Sequence, residues 1–233
     1  MASTPIISIS DFLAKISPKY FTEARGRWVF RGHADKRYDL KPSVSRAKHT
    51  STDRTKYERS LFDIFVREAG SYLSPLPVND WEWLSIAQHH GLPTRFLDWT
   101  HNPLVALYFA VSNHAELDGE VFSLNSVKKL SERTRESSPF AITRPSKYYP
   151  NIVSPRIRAQ EGLFVVCSDI EKPLDAPLRE GWSIERLLVP SGAKVHLRYE
   201  LFRLGVHASS LFPDIDGLAQ RLKWQHAVSP IDK

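Results

Sequence analysis

The sequence predicts a mixed α/β fold, a single domain over residues 1–233 in which a mainly antiparallel sheet is flanked by helices. Three observations carry that expectation. Tyr57, Leu61, Ile64, Phe65 and Ala69 recur at helical spacing, whereas WVFR and LFVVC are short aromatic or β-branched runs of strand length. The two kinds of segment alternate along the chain. With 42% hydrophobic and 11% aromatic residues, and no repeat or Gly/Ser linker, 233 residues suffice for one sizeable core.

Taken in order, Ser8 or Ser10 caps a short amphipathic helix carrying Phe12, Leu13 and Ile16, ended by Pro18, within an N-terminal segment 1–24. Residues 28–31 form a strand closed by Gly32. Residues 37–46 are irregular around Pro42, and 53–73 form a long helix that stops before Pro75 and Pro77. A helix over 81–89 is ended by Gly91 and Pro93, and a strand follows over 94–99. Thr100 or Asn102 then caps a helix with Pro103 in its first turn, apolar on most faces through Leu104, Ala106, Leu107, Phe109 and Ala110. Residues 120–124 form a strand and 126–136 a short helix or charged loop. Residues 137–155, holding Pro139, Pro145, Pro150 and Pro155, are expected as a surface loop or lid. A strand buried on both faces runs over 163–167. Strands over 182–189 and 193–196 flank a turn at 190–192, and helices follow near 198–204 and 216–222.

The formal net charge of +6 and the pI near 9.4 suit a polyanionic partner such as nucleic acid, or a solvated basic face. Arg25, Arg27, Arg31, Lys36, Arg37, Lys41, Arg46 and Lys48, interleaved with Trp28, Phe30 and Tyr38, make the N-terminal portion the most basic. No membrane span or secretory leader is expected, so a cytoplasmic location is the default. The single cysteine, Cys167, reads as a small buried hydrophobe. No GxxxxGK[ST], GxGxxG or GxSxG run occurs, which removes support for a phosphate loop, a Rossmann site or an α/β-hydrolase. No HxxxH or CxxC spacing occurs either, and no metal is expected.

Chemistry-bearing residues gather in 81–110, WEWLSIAQHHGLPTRFLDWTHNPLVALYFA, where Gln88, His89, His90, Arg95, Asp98 and Thr100 stand between core-like flanks. Strand alternation turns Asp98 and Thr100 to one side and Arg95 to the other, so the first two can face one cleft. His89 and His90, adjacent on a helix, point about 100° apart and do not serve one small site together. In FRGH, Arg31 stands at a strand end before Gly32, whose lack of a side chain allows close approach. Such a guanidinium either grips a phosphate or carboxylate with two prongs or closes a structural ion pair. Arg156, Arg158, Gln160 and Glu161 make a third polar cluster before the buried strand, either a second strand-edge site or a solvated loop.

FRGHADKRYDLKPSVSR, AQHHGLPTRFLDWTHNPLVALYFA, RIRAQEGLF and LGVHASSLFPDIDGLA resemble, in this order, successive motifs of the FRG domain, named for the tripeptide at Phe30, Arg31 and Gly32. That resemblance implies an intracellular bacterial or phage-related protein of the kind met with toxins and defence systems, with an antitoxin or other protein as a partner. More distantly the chain is similar to ADP-ribosyltransferases, which implies a split sheet, NAD as substrate and a macromolecular acceptor such as RNA or DNA. On that similarity Arg31 and Gly32 hold the pyrophosphate, and the nicotinamide stacks near Trp99 or Tyr108. Asp98 and Thr100 line the pocket, His89 or His90 assists proton transfer, and Arg95 and Arg158 complete the binding set. Gln160 and Glu161 serve the ribose. The FRG pattern keeps the glutamine while position 161 varies, and a neutral amide orients hydroxyls without offsetting positive charge. A non-catalytic nucleotide- or nucleic-acid-binding module stays open beside this reading, as does a nuclease or other hydrolase.

Overall fold

The computed structural model describes residues 5–20, 27–48, 53–125, 131–151, 154–176, 178 and 180–228. The first half holds α1 (Ile9–Tyr20), β1 (Trp28–His33), α2 (Ser43–Arg46), α3 (Arg54–Ala69), α4 (Asp80–His89), β2 (Phe96–Thr100) and α5 (Pro103–Val111). Then come β3 (Gly119–Asn125), α6 (Glu132–Arg135), β4 (Ser146–Tyr148), α7 (Pro155–Ala159) and β5 (Gly162–Val166). The chain closes with β6 (Ser183–Val189), α8 (Ser191–Arg203), α9 (Ala208–Leu211) and α10 (Ile215–Val228).

All six strands join one antiparallel sheet in the order β4-β5-β2-β1-β3-β6. The sheet is mixed with helices as the sequence predicts, and its central pairing is unusual. β1 pairs with β3 along its whole length, but with β2 only where Phe30 lies opposite Thr100. Continued in register, that ladder would set Gly32 opposite Asp98; the strands part instead.

Two helical groups cover one face. On the β1-β3-β6 half, Phe30, Val121 and Val189 pack with Phe12 of α1, Leu107 of α5 and Leu197 of α8. On the other half, Phe96, Phe164 and Val166 meet Phe62 of α3 and Trp81 and Leu84 of α4. The opposite face, with Val29, Leu97, Trp99, Phe122 and Val165, is covered by non-helical segments carrying Leu40, Leu174 and Trp182. Burying each of these large side chains stabilises the fold by roughly 1.5–3 kcal/mol. Cys167 belongs to this second layer, and burial pushes its thiol up to about 12.

α5 links β2 to β3 and rides over β1. Asn102 caps it by accepting from the Leu104 amide at 3.0 Å, and Pro103 opens its first turn. Its closeness to the sheet depends on Gly32, where an added Cβ would stand 1.9 Å from the Ala106 carbonyl oxygen.

Several sequence expectations need correction. α1 runs past Pro18 to Tyr20, and β1 continues through Gly32 to His33 because the glycine serves as the seat of α5 within the strand. Residues 193–196 are helical, not a strand. Pro190 sits at the N-cap of α8, Leu197 and Leu201 face the core one turn apart, and the buried Lys194 ammonium donates to Ala34 O (2.6 Å), His114 O (2.9 Å) and Asn113 O (3.1 Å). The segment 137–155 is no lid in its described part: β4 pairs with β5, and Ile142 and Tyr148 are buried. Positions 21–24, 126–130 and 152–153 of the predicted segments lie outside the described residues. No described helix is long and apolar enough to cross a membrane.

Candidate functional site

Where β1 and β2 separate, a pocket of about 280 Å³ opens beside α5. Along β2 the helix-covered face presents Phe96, Asp98 and Thr100 in turn, an apolar residue followed by two polar ones, and the polar pair falls at this gap. Phe30, Arg31, Gly32, Val105, Ala106, Phe109, Gln160 and Phe212 complete the wall with Trp99.

Arg31 is the wedge. Its Nη1 donates to the Asp98 carbonyl at 2.6 Å, a group the interrupted ladder leaves free, and stands 3.7 Å from the Asp98 carboxylate. Its Nε donates to His33 Nε2 at 2.9 Å. Since a guanidinium N–H only donates, His33 accepts through Nε2 and carries its proton on Nδ1. Burial, then the Arg31 charge, depresses His33 to about 3, so the ring is neutral at physiological pH. Burial lowers the Arg31 pKa and Asp98 raises it; a guanidinium stays charged through such shifts.

His33 makes stability pH-dependent with a definite sign. Its folded pKa of about 3 lies below the unfolded value near 6.5, so the unfolded chain binds more protons between these limits. Stability from this residue is complete above pH 6.5 and falls with pH by up to about 1.4 kcal/mol per unit. Urea unfolding at pH 6.5 and 4.5 is expected to show a loss about 2 kcal/mol greater in the wild type than in His33→Gln. Equal losses would show that His33 does not carry the effect.

Asp98 is held from the other side. Gln88 Nε2 donates to Asp98 Oδ2 at 2.8 Å, and Thr94 Oγ1 donates to Gln88 Oε1 at 2.6 Å. The Asp98 side chain nevertheless stays 61% exposed, an accessible carboxylate at the pocket mouth. Thr100 has a different part: Oγ1 donates to the Gln160 carbonyl at 2.6 Å and accepts from the Asn102 amide at 2.9 Å. With both capacities engaged it positions the Gln160 turn. Gln160 anchors its amide by donating to Leu211 O at 3.1 Å, which leaves Oε1 as an acceptor.

The structure separates other predicted site residues from this group. Arg95 is 2% exposed and paired with Glu58 through Nε and Nη2, the latter at 2.6 Å, so it holds α3 to the sheet and lies away from the pocket. His90 lines a separate apolar cavity of about 450 Å³ between α3 and α4. His89 keeps an electrostatic contact with Asp98, its Nδ1 lies 3.4 Å from Ser154 Oγ, and burial followed by His90 lowers its pKa. Tyr108 is buried in the α5 core, off the pocket. The Trp99 indole packs on the opposite face, with no hydrogen-bond partner for Nε1 among the described residues. Glu161 adopts φ +46° and accepts from Asn102 Nδ2 at 3.1 Å, so its carboxylate steadies the α5 cap outside the pocket. Arg158 is exposed on α7.

Sequence reasoning did not single out Phe212 as a pocket wall. Its setting is a tight turn in which a Cβ on Gly217 would lie 1.9 Å from the Phe212 carbonyl. Arg156 pairs with Asp214 at 2.6 Å and lies 5.5 Å over the Phe212 ring. Phe109 stands edge-on to it at 6.1 Å. The FPDIDG run was the available signal, since an aromatic before a Pro-Asp turn closed by glycine is fixed in place.

Residues 26–119 match the FRG domain family model. That segment is similar to the FRG domain. No curated protein and no solved structure matches the chain. The matched segment supplies most of the pocket wall, while Gln160 and Phe212 come from beyond it. In the FRG tripeptide Phe30 fills core, Arg31 wedges the divided ladder and Gly32 seats α5. Among the described residues, no group of three or more His, Cys, Asp or Glu is arranged to hold a metal ion.

Proposed function

We propose that the pocket takes the nicotinamide-ribose end of NAD and that the protein transfers ADP-ribose to a macromolecular acceptor, as an effector of the toxin or defence kind. The single observation behind this reading is that Arg31, Asp98 and Gln160, far apart in sequence, wall one pocket of about 280 Å³ together with Phe109 and Phe212. That volume, at the low end for small-molecule sites, admits part of a dinucleotide. Arg31 offers a cation to phosphate oxygens, Phe109 and Phe212 offer ring faces or edges, and Gln160 Oε1 accepts from a ribose hydroxyl. When bound, NAD supplies a glycosidic bond whose cleavage expels neutral nicotinamide with the bonding pair while an acceptor oxygen or nitrogen bonds the ribose carbon. Asp98 receives the acceptor's proton and opposes the positive charge that develops at that carbon. A net charge of +6 favours a nucleic-acid acceptor.

The test is release of labelled nicotinamide, and transfer of label from NAD to RNA, DNA or protein. Asp98→Asn is expected to lower turnover about 100-fold or more with NAD affinity little changed. Arg31→Ala is expected to weaken NAD binding about tenfold or more. No turnover with any acceptor would overturn the transferase reading. Binding without turnover would favour a nucleotide-binding module, the second reading, for which the engagement of Glu161 with Asn102 speaks.

A further inference from the structure

A second chamber of about 570 Å³ lies between α5, α8 and α10, sharing Phe109 and Phe212 with the first pocket. Its feature is uncompensated positive charge. Arg198 is partly buried, and among the described residues it has no carboxylate within ion-pair distance. Its Nη1 donates to Ser112 O at 3.1 Å, and its guanidinium lies 4.8 Å over the Trp224 ring. Burial lowers its pKa, and the one group acting the other way is the Tyr108 hydroxyl. Lys223 adds a second, exposed cation to the wall, and every other lining residue is uncharged. A half-buried arginine without a counter-ion gains more from an approaching anion than a fully solvated one does.

We infer that this chamber binds a nucleoside monophosphate unit, its phosphate on Arg198 and Lys223 and its base against the aromatic wall of Trp224 and Phe109. The chemistry follows from the lining: two donors of positive charge with no competing acid, beside rings at stacking reach. The volume falls inside the range of about 300–1,000 Å³ usual for small-molecule sites. The unit is either a free nucleotide or the outer half of a dinucleotide whose other end lies in the first pocket. The inference stands whether or not that pocket supports transfer.

Titration calorimetry with AMP, adenosine and NAD on the wild type, Lys223→Glu, Arg198→Gln and Arg31→Ala tests it. AMP is expected to bind the wild type and Arg31→Ala alike, and to bind Lys223→Glu and Arg198→Gln about tenfold or more weakly. Adenosine, lacking phosphate, is expected to bind the wild type more weakly than AMP by a similar factor. Lys223 is exposed, so its variant reports on charge without disturbing the core. NAD weakened by both Arg31→Ala and Lys223→Glu identifies the outer half of a dinucleotide; NAD weakened by Lys223→Glu alone identifies a free nucleotide site. No AMP binding to the wild type, or AMP binding lost in Arg31→Ala and unchanged in Lys223→Glu, would overturn the inference. Turnover of NAD is a separate readout, so either proposal can fail without the other.

Discussion

Glu58→Gln is expected to destabilise the protein by about 3–5 kcal/mol, read as a lowered midpoint of urea unfolding. Glu58 and Arg95 are 1% and 2% exposed, and their contacts are extensive. Glu58 Oε1 accepts from the Arg95 amide at 2.9 Å, both oxygens accept from Nε at 3.1 Å, and Oε2 accepts from Nη2 at 2.6 Å. Arg95 Nη1 also donates to Pro139 O at 3.3 Å, and its guanidinium lies 4.9 Å over the Phe140 ring. Removing the carboxylate charge leaves a cation with no access to water. Removing both charges is different. Glu58→Met with Arg95→Met substitutes apolar groups for the pair and is expected to recover most of the loss, finishing within about 2 kcal/mol of wild type. A double variant no better than the sum of the singles would show that the pair is not coupled as described. Arg95 and Glu58 both lie off the Arg31 pocket, so the double variant removes none of its wall.

Gly32→Ala has a comparable expected effect for a steric reason. The new methyl would lie 1.9 Å from Ala106 O and 2.7 Å from Ala110 N, both backbone atoms of α5. No side-chain rotation relieves such a contact, so the helix itself has to move off β1. A loss of about 3 kcal/mol or more is expected, at the upper end for overpacking, measured by denaturant unfolding. Displacing α5 also moves Ala106 and Phe109, so ligand binding is expected to fail in the fraction that remains folded. Full stability in Gly32→Ala would mean that α5 is not fixed on the strand as described.

Periodicity in the sequence made the alternation of elements legible, and sharp local signals placed α4, β2 and α5 within a residue or two. What it hid depended on distant partners. Arg95 looked like a binding cation because Glu58, 37 positions earlier, gives no local sign that the two will meet. Val195 after the turn at 190–192 favoured a strand, but Pro190 and the three carbonyls waiting for Lys194 favour the helix. Four prolines made 137–155 look like surface, although three residues suffice to extend the sheet beside β5. At the pocket, chain order alone separated Arg31, Asp98 and Gln160 into three segments. Their meeting follows from the placement of β1 beside β2 and from the Thr100 hydroxyl bonded to the Gln160 carbonyl. Thr100 reads in sequence as a hydroxyl lining the pocket, and only its two bonding partners reveal a brace.

The lone pairing of Phe30 with Thr100 gives the sheet a seam down its middle, with three strands on either side. Two plates so weakly laced resist shear mainly through α5 lying across them and through the Arg31 guanidinium stitched to the Asp98 carbonyl. A guest seated in the gap is therefore a third stitch. It closes the seam from within, so its binding free energy adds to the cohesion between the plates.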